Sequence, residues 1–204
     1  MTRRVACIVE GHGETTAVPI LLRRLWERDP EGLAMPELTT SDVLRVPRSR
    51  LLRPGELERA VELAARRTGP GGAVLILLDA DDDTACSLGP ELRARASRAR
   101  SDVRLAVVLA VREFEAWLLA SATSLRGVAG LPLDLAPPDD PEAIRDAKGW
   151  LSRHMSGGRY REVIHQEKLT ARMSLVPEPD CPSLAKLRRE VMRLLASDEP
   201  PRSR

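Results

Sequence analysis

The sequence predicts an α/β protein: a mostly parallel sheet of about four strands flanked by helices, followed by a C-terminal helical extension. Three observations predict it. The apolar runs are short and continuous rather than alternating, as in strands buried on both faces. Between them lie stretches whose apolar residues recur at helical spacing. Glu, Asp or Gly stops the strongest runs, where a strand would leave the sheet.

In chain order, Val5–Val9 (VACIV) is the first buried strand, ended by Glu10-Gly11. Val18, Leu21, Leu22, Leu25 and Trp26 then form a helical stripe, with a stop expected at Asp29-Pro30-Glu31-Gly32. Val43–Val46 is a weaker strand. Pro54-Gly55 opens a helix whose apolar face is Leu57, Val61 and Ala64/Ala65. Ala73–Leu78 (AVLILL) is the strongest strand, capped by Asp79–Asp83. A helix from about Gly89 to Ala99 leads to the strand Val103–Val111 and the helix Glu113–Ser121. The β-α alternation calls for right-handed crossovers and a sheet covered on both sides. Residues 1–125 are therefore expected as the α/β domain. A Gly/Pro/Asp-rich loop, Gly127–Pro141, precedes helical patterns at about Pro141–His154, Tyr160–Arg172 and Ser183–Ala196. These make residues 126–196 a helical extension packed on the sheet, and 197–204 a disordered tail.

The chain has 204 residues, 43% of them hydrophobic and 30% charged, enough for a core without general disorder. Aromatics are only 2%, which argues against a base-stacking surface for single-stranded nucleic acid. Net charge is +2, and the positive charge is nearly all arginine, with lysine only at Lys148, Lys168 and Lys186. Cys7, Cys86 and Cys181 are widely spaced and read as reduced thiols. No apolar run has the length of a signal peptide or a membrane span. A cytoplasmic protein is expected.

Ligands of a parallel sheet sit beyond the carboxyl ends of its strands, where strand order reverses. Glu10 ends the first strand, Asp79 and Asp81 end the third, and Glu113 and Glu115 follow the fourth. If strands one and three are neighbours, Glu10 faces Asp79 and Asp81 across the crevice. Two unit charges ~4 Å apart repel by roughly 1 kcal/mol in water and several times that in a partly buried cleft. Such a set persists when a cation neutralises it or a proton does. All-oxygen donors favour Mg²⁺ or Mn²⁺ over zinc. The candidate metal ligands are Glu10, Asp79, Asp81 and Asp83. For any single acid, ordinary turn chemistry or helix-dipole complementation is the competing reading. Glu14 stands at a helix start and fits that structural role, or else an outer shell of the site. Gly11-His12-Gly13 lacks the third glycine of a dinucleotide fingerprint and the Lys-Ser/Thr of a P-loop. A phosphatase-like DxDxT is off by one place in Asp79–Thr84.

At these residues the sequence resembles a TOPRIM domain, the metal-binding module of topoisomerases, primases and OLD-family nucleases. The pattern is a Glu after the first strand and D-x-D after the third, here Val9-Glu10-Gly11 and Leu78-Asp79-Ala80-Asp81. The segment Glu113-Phe-Glu115-Ala-Trp117-Leu-Leu resembles the FEAWLL stretch of the bacterial family catalogued as domain of unknown function 4276. Asp146-Ala-Lys148-Gly-Trp150-Leu151 and Cys181-Pro-Ser183-Leu184 resemble later landmarks of that family. Leu184 stands where an aromatic is common, and Ala147 where proline often precedes the lysine.

The resemblance implies a metal-dependent phosphodiester or phosphoryl-transfer centre, possessed by families that often occur beside ATPases in prokaryotic defence systems. Glu10, Asp79, Asp81 and Glu115 are then the expected catalytic set. The helical period puts Glu113 and Glu115 roughly 200° apart, so one helix cannot aim both at one ion; the resemblance favours Glu115. Phe114, Trp117 and Leu118 are expected in the core. Lys148 and His12 are candidate phosphate contacts, each with a solvated alternative, while His154 and His165 read as surface. Two function classes follow: a Mg²⁺-dependent nuclease or phosphotransfer enzyme acting on nucleic acid, or a non-catalytic module that binds an ATPase partner or a nucleotide.

Overall fold

The structure, a computed structural model, describes residues 4–27 and 42–196. The expected helix stop at 29–32 and the tail 197–204 lie outside them. The elements are β1 (Val5–Val9), α1 (Glu14–Trp26), β2 (Val43–Arg45), α2 (Arg48–Leu51), α3 (Glu56–Thr68) and β3 (Ala73–Asp79). There follow α4 (Ala85–Ala99), β4 (Arg104–Ala110), α5 (Glu115–Ala120), α6 (Ala147–His154), α7 (Glu167–Thr170) and α8 (Pro182–Ala196).

The four strands form one all-parallel sheet in the order β2-β1-β3-β4. Order reverses between β1 and β3, so the crevice beyond their carboxyl ends is the switch point of the sheet. Strand alternation divides the core. Val5, Cys7, Val9, Leu75, Leu77, Ala106 and Val108 face α1, α5 and α8. Ala6, Ile8, Val74, Ile76, Leu78, Val107 and Leu109 face α3 and α4. Both faces being covered, the strands are apolar throughout, as the continuous runs require.

The C-terminal stripe Leu184, Leu187, Val191 and Leu194 is buried in the same core as α1 and the strand residues that face it. The Trp117 indole N–H donates to Ser183 Oγ at 2.7 Å, pinning α8 to α5. The extension thus completes the layer over one face of the sheet.

Several boundaries differ from the sequence reading. Helix α4 begins at Ala85 rather than Gly89, because Thr84 O accepts from the amides of Ser87 and Leu88 and starts the helix a turn earlier. The pattern at Pro141–His154 splits into a 3₁₀ turn, Pro141–Ala143, and α6, whose start Asp146 caps by accepting from Gly149 N at 2.7 Å. The pattern at Tyr160–Arg172 is a π-turn, Glu162–Gln166, running into α7. Among the described residues, no helix is long and apolar enough to cross a membrane. Cys7, Cys86 and Cys181 are all free thiols.

Candidate functional site

Alternation along β3 puts Asp79 on the same side as Ala73, Leu75 and Leu77, the side that α1 and the C-terminal extension cover. There its carboxylate meets Glu10 and Glu14. The three side chains each offer an oxygen, and those oxygens all lie within 4.8 Å of one another. Each carboxylate is held by main-chain donors: Glu10 Oε1 accepts from Asp79 N at 3.1 Å, and Asp79 Oδ1 from Phe114 N at 2.7 Å. Glu14 Oε2 accepts from the amides of Glu10 and Gly11, both at 3.0 Å. These bonds orient the groups while a second oxygen on each takes no main-chain donor in the described structure.

The electrostatics are those of crowded anions. Burial, then the charges of Glu14, Glu115 and Glu10, holds the Asp79 carboxyl well above the usual range. Burial raises Glu14 to about 7, Glu10 adding to the effect against the two amides that oppose it. Glu10 is also raised, by burial first and by Asp81 as well. The donor set is all oxygen, pre-oriented and short of positive charge, so it fits a hard divalent cation.

The sign of the pH dependence follows. Carboxyls raised in the fold hold protons that the unfolded chain releases, so their stabilisation is complete below the ordinary carboxyl range and disappears as pH rises through about 7. Metal-free protein should therefore melt lower at pH 8 than at pH 5. Millimolar Mg²⁺ should flatten that slope, which a melting series with and without the ion measures.

A second charged cluster adjoins the first. Lys148 Nζ lies 3.0 Å from Glu162, 3.4 Å from Glu113 and 3.7 Å from Glu115. Burial works against the ammonium, yet Glu115, Glu162 and Glu113 outweigh it and hold it charged above the lysine range. Burial raises Glu115 to about 7 despite Lys148 and the Tyr160 hydroxyl, which donates to its Oε1 at 2.9 Å. Gln166 Nε2 donates to the same oxygen at 3.3 Å. The triad and, of the second cluster, Lys148, Glu115, Glu162 and Gln166 line one cavity of about 210 Å³, which Arg48 also borders.

The sequence-based candidates divide. Glu10, Asp79, Glu115 and Lys148 line the cavity. Asp81 and Asp83 do not join the acidic triad. Asp81 adopts a positive φ of 51° as the chain leaves the sheet, and its carboxylate sits 3.6 Å from Arg48 Nη1. Asp83 is also ion-paired to Arg48. Alternation from Asp79 would aim Asp81 at the triad only if the strand continued, and it stops. His12 is exposed and lies outside the cavity lining. The argument separating Glu113 from Glu115 needed both on one helix, but α5 begins at Glu115, and Glu113, before it, reaches the same ammonium.

Sequence reasoning missed Glu14 as a member of the triad, and missed Arg48, Glu162 and Gln166. Glu14 had a signal: four residues after Glu10, on the first turn of α1, it points back over the strand end. Glu162 and Gln166 had none, since a π-turn leaves no period in the sequence.

Fold and site together define a three-layer α/β protein with an acidic cavity at the switch point of a four-stranded parallel sheet. The family model described as Domain of unknown function (DUF4276) matches residues 9–191. The chain belongs to that family. Comparison with curated proteins and with solved structures returns no match.

Proposed function

We propose that this chain is a Mg²⁺- or Mn²⁺-dependent, TOPRIM-like phosphoryl-transfer protein that cleaves nucleic acid, working in prokaryotic defence with an ATPase encoded nearby. The observation that carries the reading is the convergence of Glu10, Glu14 and Asp79 at the carboxyl ends of neighbouring parallel strands. The TOPRIM likeness rests on Glu10 after β1 and on Asp79, the last residue of β3. Glu14 takes the place expected of Asp81. The free thiols fit a reducing, cytoplasmic setting.

Glu10, Glu14 and Asp79 would hold the ion. Bound there, it would polarise a phosphoryl oxygen and offset developing charge. Glu10 is the least buried of the three and is placed to accept a proton from an attacking water. Arg48, donating through Nε to Asp79 O at 3.1 Å, stands at the cavity edge, where an entering phosphate would meet its guanidinium. Lys148 presents the other positive charge of the lining.

One observation favours a second reading, a non-catalytic module that binds an ATPase partner or a nucleotide. The two cations lining the cavity are already paired with carboxylates, Arg48 with Asp81 and Asp83, Lys148 with three glutamates. A nuclease usually presents unpaired cations to the phosphate backbone.

The test is cleavage of supercoiled DNA, linear DNA and RNA in Mg²⁺ or Mn²⁺, with and without the neighbouring ATPase. Metal-dependent cleavage that falls about 100-fold or more in Glu10→Ala is the expected result. Metal binding with no cleavage under any of these conditions selects the module instead. Absence of divalent-ion binding overturns the metal reading.

A further inference from the structure

The Lys148 cluster has features that an ordinary ion pair lacks. Its carboxylates come from two separate segments: Glu113 just before α5 and Glu115 at its first residue, and Glu162 in the π-turn. Lys148 is carried by a third, α6. Glu115 is 1% exposed, and its Oε2, 3.7 Å from Nζ, has no hydrogen-bond partner. The ammonium therefore faces a buried carboxyl oxygen at ion-pair distance without bonding to it.

Charge points the same way. In the described structure the ammonium is the cation within ion-pair distance of Glu113, Glu115 and Glu162, while Arg48, at the other edge of the cavity, is paired with Asp81 and Asp83. Without the ammonium, those three carboxylates would face one another with no positive charge between them. Lys148, Glu115 and Glu162 line the same cavity as Glu10, Glu14 and Asp79, so the ammonium and an ion at the triad would share one enclosed space.

We infer that the Lys148 ammonium is a tethered second cation, standing where a second divalent ion would otherwise bind among Glu113, Glu115 and Glu162. The native site is accordingly a one-ion site, and Lys148 is its positioning residue for the carboxylates on the extension side. This deepens the proposed function and rests on Glu10, Glu14 and Asp79 holding the first ion. Because the second positive charge belongs to the chain, the site needs only one ion from solution. Its occupancy should follow a simple one-site isotherm in Mn²⁺.

The test is Mn²⁺ stoichiometry, read from the free-ion electron paramagnetic resonance signal during titration of the full chain. Wild type and Lys148→Arg should bind one ion, and Lys148→Met two, with the spin–spin broadening of a nearby pair. Lys148→Met combined with Glu113→Gln and Glu162→Gln should return to one. Asp79→Asn isolates the underlying reading: if wild type binds no Mn²⁺, or binds it equally well as Asp79→Asn, the triad assignment falls. If the triad binds one ion but Lys148→Met also binds only one, the tethered-cation inference falls and the triad stands. Two ions in wild type would overturn the inference as well. So would a Lys148→Met chain that stays unfolded in millimolar Mn²⁺, because an ion in the subsite would restore the missing charge.

Discussion

Asp79→Asn should melt higher than the wild-type chain in the absence of divalent ions and lower in their presence. Its own burial first, and then the charges of Glu14, Glu115 and Glu10, oppose ionisation of this carboxyl. Asparagine keeps an oxygen for Phe114 N, whose bond to Asp79 Oδ1 is 2.7 Å, and gains an amide that can donate to a neighbouring carboxylate. Relief of repulsion worth about 1–2 kcal/mol raises the melting temperature by roughly 2–8 °C in a chain of this size. The same change removes a ligand from the triad. Losing a supporting residue alone typically lowers metal affinity 10–100-fold, so losing a ligand should cost on the order of 100-fold or more. Wild type at ~100 times its Kd gains about 2.7 kcal/mol from the ion, and the variant should gain almost none. The two melting curves should therefore cross as Mg²⁺ is added. Parallel curves would show that Asp79 is a structural acid and not a ligand.

Gly13→Ala should lower stability by about 1–3 kcal/mol and weaken metal binding at a site the new methyl never touches. A Cβ at Gly13 would lie 2.1 Å from Gln166 Oε1 and 2.9 Å from the Glu162 carbonyl oxygen. The side chain of Gln166 has little room to yield, being 3% exposed and bonded through Nε2 to Glu115. The Glu162 oxygen is main chain, so relief requires the π-turn itself to move off the loop between β1 and α1. That displacement carries Glu162 away from Lys148 and reopens the wall of the cavity. A melting-temperature drop of roughly 2–12 °C, together with loss of Mg²⁺ stabilisation, is the expected result. If Gly13→Ala melts like wild type, the extension does not close on that loop as tightly as the packing requires. Gly13 has a helical φ of −65°, so the constraint is the close approach of Gln166 and Glu162 and not backbone conformation.

Much of the architecture was legible because burial on both faces writes itself into composition. Continuous apolar strands such as VACIV and AVLILL demanded a covered parallel sheet, and the strand ends located Glu10 and Asp79. Membership of the family was legible from the FEAWLL segment at 114–119, whose aromatics are core. The two acids of the D-x-D part company in the fold. Alternation holds for Asp79, but Asp81 lies past the last strand residue, where a left-handed turn hands its carboxylate to Arg48.

What the sequence by itself determined is which residues must be buried and where each strand must end, since both follow from local periodicity and the cost of burying unpaired charge. The tertiary structure alone decided which acids share a cavity. Glu14 joins Asp79 because β1 and β3 pair side by side, a contact between residues 65 positions apart. Lys148, Glu162 and Gln166 arrive because the extension buries its apolar stripe on the same face of the sheet. Long-range packing leaves no local period, so a chain can show its strand ends plainly while the neighbours that complete the site stay hidden until it folds.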